Sequence, residues 1–374
     1  KMSYHCECEQ CKNKEFNPED YIIKEEDFKV LDEERPLGIS GHLRVKDEAM
    51  SLAECIDSCI DALDELIITY NKSTDNTEEI LKEYAQKYPD KIRLYYYKPN
   101  IILYDNNKYL EKFPILHNLC NYYNYGYIKI KYKYYMKIDA DQIYFTDKLL
   151  SIRKALFKDI SKEISELNFY NKLLWFIPIR KIRSILRYKK EKKLLNKILN
   201  SNYIDLDKIS DIYDLILYYK LIIRKSCYFS LGGINLIKFN NKLCLNTGNL
   251  LNGCVGDHSI WIPNSKSKYI MEKNAVTENI HLDDKFHICG TGILWVHLGD
   301  IKKQHSLAKG FDVIYYEDIN RKENFIYKVA IPMIHMYYKD HFFDNDKKYL
   351  TKEFYDRFLK KPLEYAIKNQ DKLW

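Results

Sequence analysis

A chain of 374 residues, 46% hydrophobic and 30% charged, can bury a full core in one large domain or two smaller ones, which excludes a disordered tail. The formal net charge is +7, but nine basic residues and one acid, Glu191, fall between Lys172 and Lys193, so the excess sits in a single element and a generally basic nucleic-acid coat is excluded. Ten cysteines scattered through apolar segments suit a reducing compartment, and no run nears the roughly 18 apolar residues of a membrane-spanning helix or shows a secretory leader pattern, so a cytoplasmic protein is expected.

Residues 1–36 are polar and acidic, end in Glu33-Glu34-Arg35-Pro36, and read as a leader or linker. Gly38 to Val45 is a short strand, and Asp47 to Leu63 repeats apolar residues at helical spacing, with Asp47 and Glu48 in its first turn. Glu65 to Tyr70 is a buried strand. After the turn Asn71-Lys72-Ser73-Thr74, Asp75 and Glu78 form a capping pair that opens a helix to Tyr88. Ile92 to Tyr97 is a third strand, Pro114 to Tyr127 a helix, and Tyr134 to Asp139 a fourth strand. Strands alternating with helices at these lengths predict an α/β fold with a mostly parallel sheet covered on both faces.

The alternation stops at about Leu149, and residues 149–220 read as a basic helical insertion after an α/β half spanning 37–148. Within it, Trp175, Phe176 and aliphatic residues precede a basic helix that Pro178 is suited to start. Ile182, Ile185, Leu186, Leu194, Leu195 and Ile198 are spaced for one apolar side, so residues 172–199 are expected to lie on an anionic membrane surface. Strands return at Leu221 to Phe229 and Ile234 to Leu245. A Gly/Asn-rich loop from Asn246 to Asp257 follows, then strands at Ser259 to Ile262 and Gly292 to His297 complete a region spanning 221–305. Residues 306–374 form an aromatic, mixed tail, helical in its last third. The 34 tyrosines read as compositional drift rather than as stacking platforms.

The sharpest chemical feature is Lys137-Ile138-Asp139-Ala140-Asp141-Gln142. Residues two apart in an extended chain point to one side, so Asp139 and Asp141 leave the strand end with both carboxylates available to one site. Such a pair suits Mg²⁺ or Mn²⁺ keeping positions open for phosphate oxygens, and ligands of parallel sheets bind beyond the carboxyl ends of strands. Near the start of the chain, His5, Cys6, Cys8 and Cys11 are candidate Zn²⁺ ligands, but no second Cys-x-x-Cys pair is present, which weighs against a structural zinc. Cys55 and Cys59, one helical turn apart, read as core.

Three segments occur in order: Arg44-Val45-Lys46-Asp47-Glu48-Ala49, Tyr70-Asn71-Lys72-Ser73-Thr74-Asp75-Asn76-Thr77, and Ile138-Asp139-Ala140-Asp141. On these the chain resembles the GT-A glycosyltransferases over residues 38 to 147. The first two segments and the Phe176-Ile177-Pro178 to Arg183 run look most like bacterial lipooligosaccharide β-1,4-N-acetylgalactosaminyltransferases.

The resemblance implies a Rossmann-like sheet with a helical insertion and an acceptor-side region. It also implies a UDP-sugar donor, carrying GalNAc or Gal, whose diphosphate is bridged by the metal to Asp139 and Asp141. It puts Arg44, Val45 and Glu48 beside the nucleotide and Asn71 near uracil or ribose, where many relatives have an acid; Asp75 is accounted for by its capping role. It implies a third metal ligand from a distant histidine, best met by His297 ahead of His258 and His287. For an inverting transfer, Asp257 is the candidate base that deprotonates the acceptor hydroxyl, with Asp283 and Asp284 as competitors. The acceptor implied is a bacterial surface glycolipid or polysaccharide, with the enzyme peripheral on the inner face of the cytoplasmic membrane. A sugar nucleotidyltransferase would carry a Gly-rich phosphate loop after Val45, where none is present, and a non-catalytic membrane-associated protein is the other alternative.

Overall fold

The computed structural model describes residues 8–101, 115–157, 161–199, 227–239, 242–246, 259–271, 278–281, 287–302, 313–315 and 351–369. Four strands that are apolar along most of their length, β1 (Ile39–Val45), β2 (Glu65–Tyr70), β3 (Ile92–Tyr96) and β4 (Tyr134–Asp139), pair in parallel in the order β3-β2-β1-β4. Such strands are stable only when both faces are covered. The expected Rossmann-like, mostly parallel core is therefore present. The strand order reverses between β1 and β4, which makes the crevice beyond their carboxyl ends the natural ligand position.

Beyond β4 the sheet turns antiparallel. β5 (Gln142–Tyr144), β6 (Cys227–Phe239), β7 (Lys242–Asn246) and β8 (Ser259–Trp261) are followed by β9 (Lys268–Met271) and β10 (Glu278–His281), which form a separate two-stranded ribbon. β8 pairs with both β4 and β6, and β11 (His287–His297) runs parallel to β6 and antiparallel to β5; β12 (Val313–Tyr315) edges the sheet on β7. The strand expected from Ile234 to Leu245 is divided between β6 and β7, and β6 runs unbroken through Gly232-Gly233, where two strands were expected to be separated. Gly233 allows this, because a Cβ there would strike the Trp295 ring of β11.

Period-two alternation sorts the parallel strands into two unlike faces. Ile39, Leu43 and Val45 of β1, Leu66 and Ile68 of β2, and Met136 and Ile138 of β4 form an aliphatic core with α2 (Leu52–Cys59), α3 (Thr77–Lys87) and α5 (Thr146–Phe157). The other face meets α4 (Leu119–Tyr127) and is built of rings: Tyr97, Tyr122, Tyr123, Tyr127, Tyr135, Trp261 and Tyr269. Their hydroxyls are satisfied inside: Tyr97 donates to Leu116 O (2.7 Å), Tyr122 to Thr69 O (2.8 Å), and Tyr135 pairs with Tyr269 (3.0 Å). These tyrosines are core residues that need both their area and their polar tip, not drift.

The reading of residues 1–36 as a leader or linker is corrected for the described part, 8–36. Phe28 and Leu31 are buried in the ring-lined core. Asn121 accepts from Ile23 N (3.0 Å) and donates to Tyr21 O (2.8 Å), while Arg35 donates to Leu31 O and Pro263 O. The acidic surface of this stretch hides three well-placed apolar residues, Ile22, Phe28 and Leu31.

The helix expected from Asp47 begins only at Leu52. Asp47 takes a positive φ of 53° and the amides of Asp47, Glu48 and Ala49 donate to Ser73, Thr77 and Asp75, so hydrogen bonds to another loop replace the first helical turn. Among the described residues of the basic insertion, α6 (Ser161–Leu174) and α7 (Arg180–Leu199) form a hairpin, tied by Lys190 to Glu166 (2.5 Å) and by Arg187 to Asn171 (3.2 Å). Among the described residues no helix is long and apolar enough to cross a membrane. The tail is helical at 352–368, as expected.

Candidate active site at the end of the fourth strand

Register places the chemistry. In the β1–β4 ladder Arg44 lies opposite Asp139, both on the ring-lined face and both at the carboxyl end. Lys137, two residues earlier and therefore on the same face, is fully buried, with its ammonium 3.6 Å from Asp139 Oδ2. Tyr123 of α4 donates to Asp139 Oδ1 (3.4 Å), and its ring lies under both cations, 5.2 Å from the Arg44 guanidinium carbon and 5.0 Å from Lys137 Nζ. A buried lysine is tolerated only when its charge is met, and here a carboxylate and a π face meet it.

Asp141 stands one tight turn further on. Its carbonyl accepts from Leu298 N (2.8 Å), and the antiparallel β5–β11 ladder pairs Gln142 with His297, so two strands distant in sequence deliver His297 to the acidic turn. His297 Nε2 lies 3.3 Å from Asp141 Oδ2, with both side chains about a fifth exposed. Gly299 completes the cradle, since a Cβ there would come within 2.8 Å of that same carboxylate oxygen. The structure thus brings His297 to Asp141, while Asp139 stays with Lys137 and Tyr123. Two carboxylates and an imidazole are, by their chemistry, the donor set of a hard-to-borderline divalent ion such as Mn²⁺; Asp141 and His297 converge here at 3.3 Å, while the Asp139 carboxylate is turned to Lys137 and Tyr123 and does not join them.

The remaining expected residues build the walls. Asp75 accepts from Thr77 N and Thr77 Oγ1 at the start of α3 and from Ala49 N, and Asp47 accepts from Thr74 N (2.6 Å), zipping the loop after β1 to the loop after β2. The N-cap of α3 is Asn76 rather than Asp75, so the capping expectation is corrected: Asp75 instead ties the first residue of α3 to the loop after β1. Glu78 accepts from Ser73 N rather than closing a box on Asp75. Val45 points its side chain into the aliphatic core and offers the site only backbone: its carbonyl accepts from Asn71 N (3.2 Å). Glu48 is half-buried in the zipped loop. The Asn71 amide nitrogen donates to Tyr97 O (2.7 Å) and Pro99 O (3.1 Å), spending both hydrogens on the loop after β3, so a contact to uracil or ribose from this side chain would fall to its oxygen. Burial pushes the Cys55 thiol well up, and the cysteine packs below Asp139 as a core residue.

Asp257, His258, Asp283 and Asp284 lie outside the described residues, and the side chain of His287 is likewise not described. Sequence reading missed the roles of Lys137 and Tyr123. The alternation that puts Asp139 on a face also puts Lys137 there, so that signal was present; nothing local marks Tyr123.

Over residues 19–247 the chain matches the family described as beta-1,4-N-acetylgalactosaminyltransferase (CgtA). No curated protein matches it. Among solved structures, glucosyl-3-phosphoglycerate synthase from Mycobacterium tuberculosis, in complex with Mn²⁺, UDP and glucosyl-3-phosphoglycerate, is 19% identical over 32% of this chain and 39% of that one, with a TM-score of 0.20. A structure described only as a mycobacterial protein is 18% identical over 35% of this chain and 38% of that one, with a TM-score of 0.22. The overlap covers well under half of either structure and carries no weight for the site. The match over 19–247 spans more than half of the sequence and takes in β1 to β4 with the acidic pair, and on it the chain belongs to the beta-1,4-N-acetylgalactosaminyltransferase (CgtA) family of glycosyltransferases.

Proposed function

We propose that this glycosyltransferase is metal-dependent and inverting, and that it moves GalNAc or Gal from a UDP-sugar to a bacterial surface glycolipid or polysaccharide. The observation that carries the reading is the Asp141–His297 pair at 3.3 Å, assembled over Gly299 beside the register-paired Arg44 and Asp139. Asp139, Asp141 and His297 would hold Mn²⁺ or Mg²⁺, which when bound supplies Lewis-acid stabilisation of the departing diphosphate. Arg44 and the buried Lys137 offset the two carboxylates of Asp139 and Asp141 at the strand ends, which lowers the repulsion an acidic pair alone would raise against a diphosphate. Tyr123 fixes the Asp139 carboxylate by its hydrogen bond, and the zipped loops around Asp47 and Asp75 hold the nucleotide wall. Asp257 is our choice for the base that takes the acceptor proton; Asp257→Asn should cut transfer by roughly 10²-fold or more with UDP-sugar affinity nearly unchanged.

The finer reading of the acceptor rests on the α6–α7 hairpin. Its tip presents Trp175 and Phe176 at 80% and 86% exposure, with Ile179, Ile182 and Ile185 also exposed, and Arg180, Arg183 and Arg187 line a cleft with Trp175. Rings at the tip and guanidinium groups beside them suit an interfacial element over anionic lipid, where a lipid-linked acceptor is reached in the plane of the surface. The enzyme then works in the cytoplasm against the inner face of the cytoplasmic membrane. The deciding experiment measures UDP release from UDP-GalNAc, UDP-Gal, UDP-GlcNAc and UDP-glucose with Mn²⁺, with Mg²⁺ and with EDTA. Turnover of a galacto-configured donor that stops in EDTA and in Asp141→Asn supports the reading; full turnover in EDTA removes the metal from it.

A further inference from the structure

Far from the acidic pair, the short helix α1 (Glu9–Lys12) begins at Cys8 and carries Cys11 on the same face, one turn apart. Both thiols meet His117, which sits on the turn Ile115–His117 just before α4 and is fully buried. Cys8 Sγ and Cys11 Sγ each lie 3.4 Å from His117 Nε2, and the three ligating atoms fall within 4.8 Å of one another, the only such His, Cys, Asp or Glu trio among the described residues. His117 Nδ1 donates to Asn100 O at 2.6 Å, so the ring proton is committed there and Nε2 turns a lone pair toward the sulfurs. One lone pair accepts one thiol hydrogen well. Two sulfurs at equal distance from it are the arrangement of ligands around an ion, and the second-shell carbonyl on the other nitrogen is the usual companion of a metal-bound imidazole.

We propose that Cys8, Cys11 and His117 form a structural zinc site. The geometry agrees with the ion: Zn–S near 2.3 Å and Zn–N near 2.0–2.1 Å at tetrahedral angles put sulfur about 3.5 Å from nitrogen. Thiolate ligands with one imidazole select zinc over the hard ions that suit the acidic pair. The distant histidine supplies a third protein ligand that no local pattern in the sequence marks. Cys6, the neighbouring thiol in the sequence, lies outside the described residues.

The site joins α1 to the loop after β3. Gln10 reinforces that junction, accepting from Asn100 N (2.8 Å) and donating to Lys98 O (3.2 Å). Asn71 grips the same loop from the other side through Tyr97 O and Pro99 O. The zinc therefore braces a stretch of backbone that touches the end of β2, where the nucleotide wall begins.

The test is metal analysis of the full chain, purified without chelator. The expected result is about one zinc per chain, falling below roughly a tenth in Cys8→Ser, Cys11→Ser and His117→Asn and unchanged in Asp141→Asn, which separates this site from the acidic pair. Because a ligand variant can lose metal by unfolding, the unaltered protein is also loaded with Co²⁺: a thiolate-to-cobalt charge-transfer band with tetrahedral d–d absorption is expected. Folded protein that holds no zinc and shows no such band, or zinc that vanishes with Asp141→Asn, overturns the proposal.

Discussion

Gly299 controls the acidic site more tightly than its size suggests. An added methyl would meet His297 Cε1 at 2.7 Å and Asp141 Oδ2 at 2.8 Å, so Gly299→Ala must push the pair apart. The expected outcome is a loss of turnover of roughly 10²-fold with little change in Tm, because a small displacement of a positioned group is costly to rate; unchanged kcat/KM would show that the pair does not hold the reacting complex. His42 offers a second residue-scale test. Burial first, then the nearby Lys137 and Arg44, holds its pKa down to about 3 against an ordinary value of 6.5. Between those values the unfolded chain binds a proton that the folded one refuses, so this contribution is complete above pH 6.5 and stability falls as pH drops toward 3, by up to about 1.4 kcal/mol per pH unit. Urea unfolding from pH 6.5 to 4.5 should show a shallower slope in His42→Gln than in the natural protein; parallel slopes would count against a neutral buried imidazole.

At the scale of elements, what the sequence made legible followed from periodicity, and what it hid followed from contacts made across it. β2 and β4 are bounded as alternation and apolar runs predict, because their faces are set by neighbours of the same kind on both sides. The start of α2 was misplaced because Asp47, Glu48 and Ala49 have helical spacing but spend their amides on the next loop, a tertiary choice that no local pattern records. Asp139 and Asp141 were legible as a pair, whereas the Lys137 and Tyr123 contacts to Asp139 depend on packing α4 over β4. The α6–α7 hairpin was legible in its charge and in its rings. If it meets anionic membrane, Arg180, Lys181, Arg183 and Arg187 to Gln should lower binding to phosphatidylserine vesicles by two to three orders of magnitude, at about 1 kcal/mol for each charge. Trp175→Ser with Phe176→Ser should weaken binding on the same vesicles with the salt dependence retained. Sedimentation that ignores lipid charge and all six side chains would leave the hairpin as a solvated arm.

For the molecule as a whole, the sheet divides the interior into an aliphatic half and a ring-lined half, and the second half is closed by residues that composition alone assigns to a tail. Phe28 lies in that half with Tyr97, Tyr127 and Tyr269, and its segment is pinned by Asn121, by Arg35 and by Asp32, which accepts from Ser265 N at 2.9 Å. A linker loses little when an aromatic residue is truncated, but a core residue leaves a cavity. Phe28→Ala should therefore cost about 3 kcal/mol, within the range for buried aromatic truncations. The measurement is the urea midpoint at constant m, since an unchanged m shows that stability rather than the compactness of either state has moved. The acidic turn is built by β4, β5 and β11 rather than by this segment, so glycosyl-transfer turnover at a temperature where the variant stays folded should be close to that of the natural protein. A cost below 1 kcal/mol would return residues 8–36 to the role of a linker, and a collapse of turnover in the folded variant would mean that the ring-lined core positions the site as well as stabilising it.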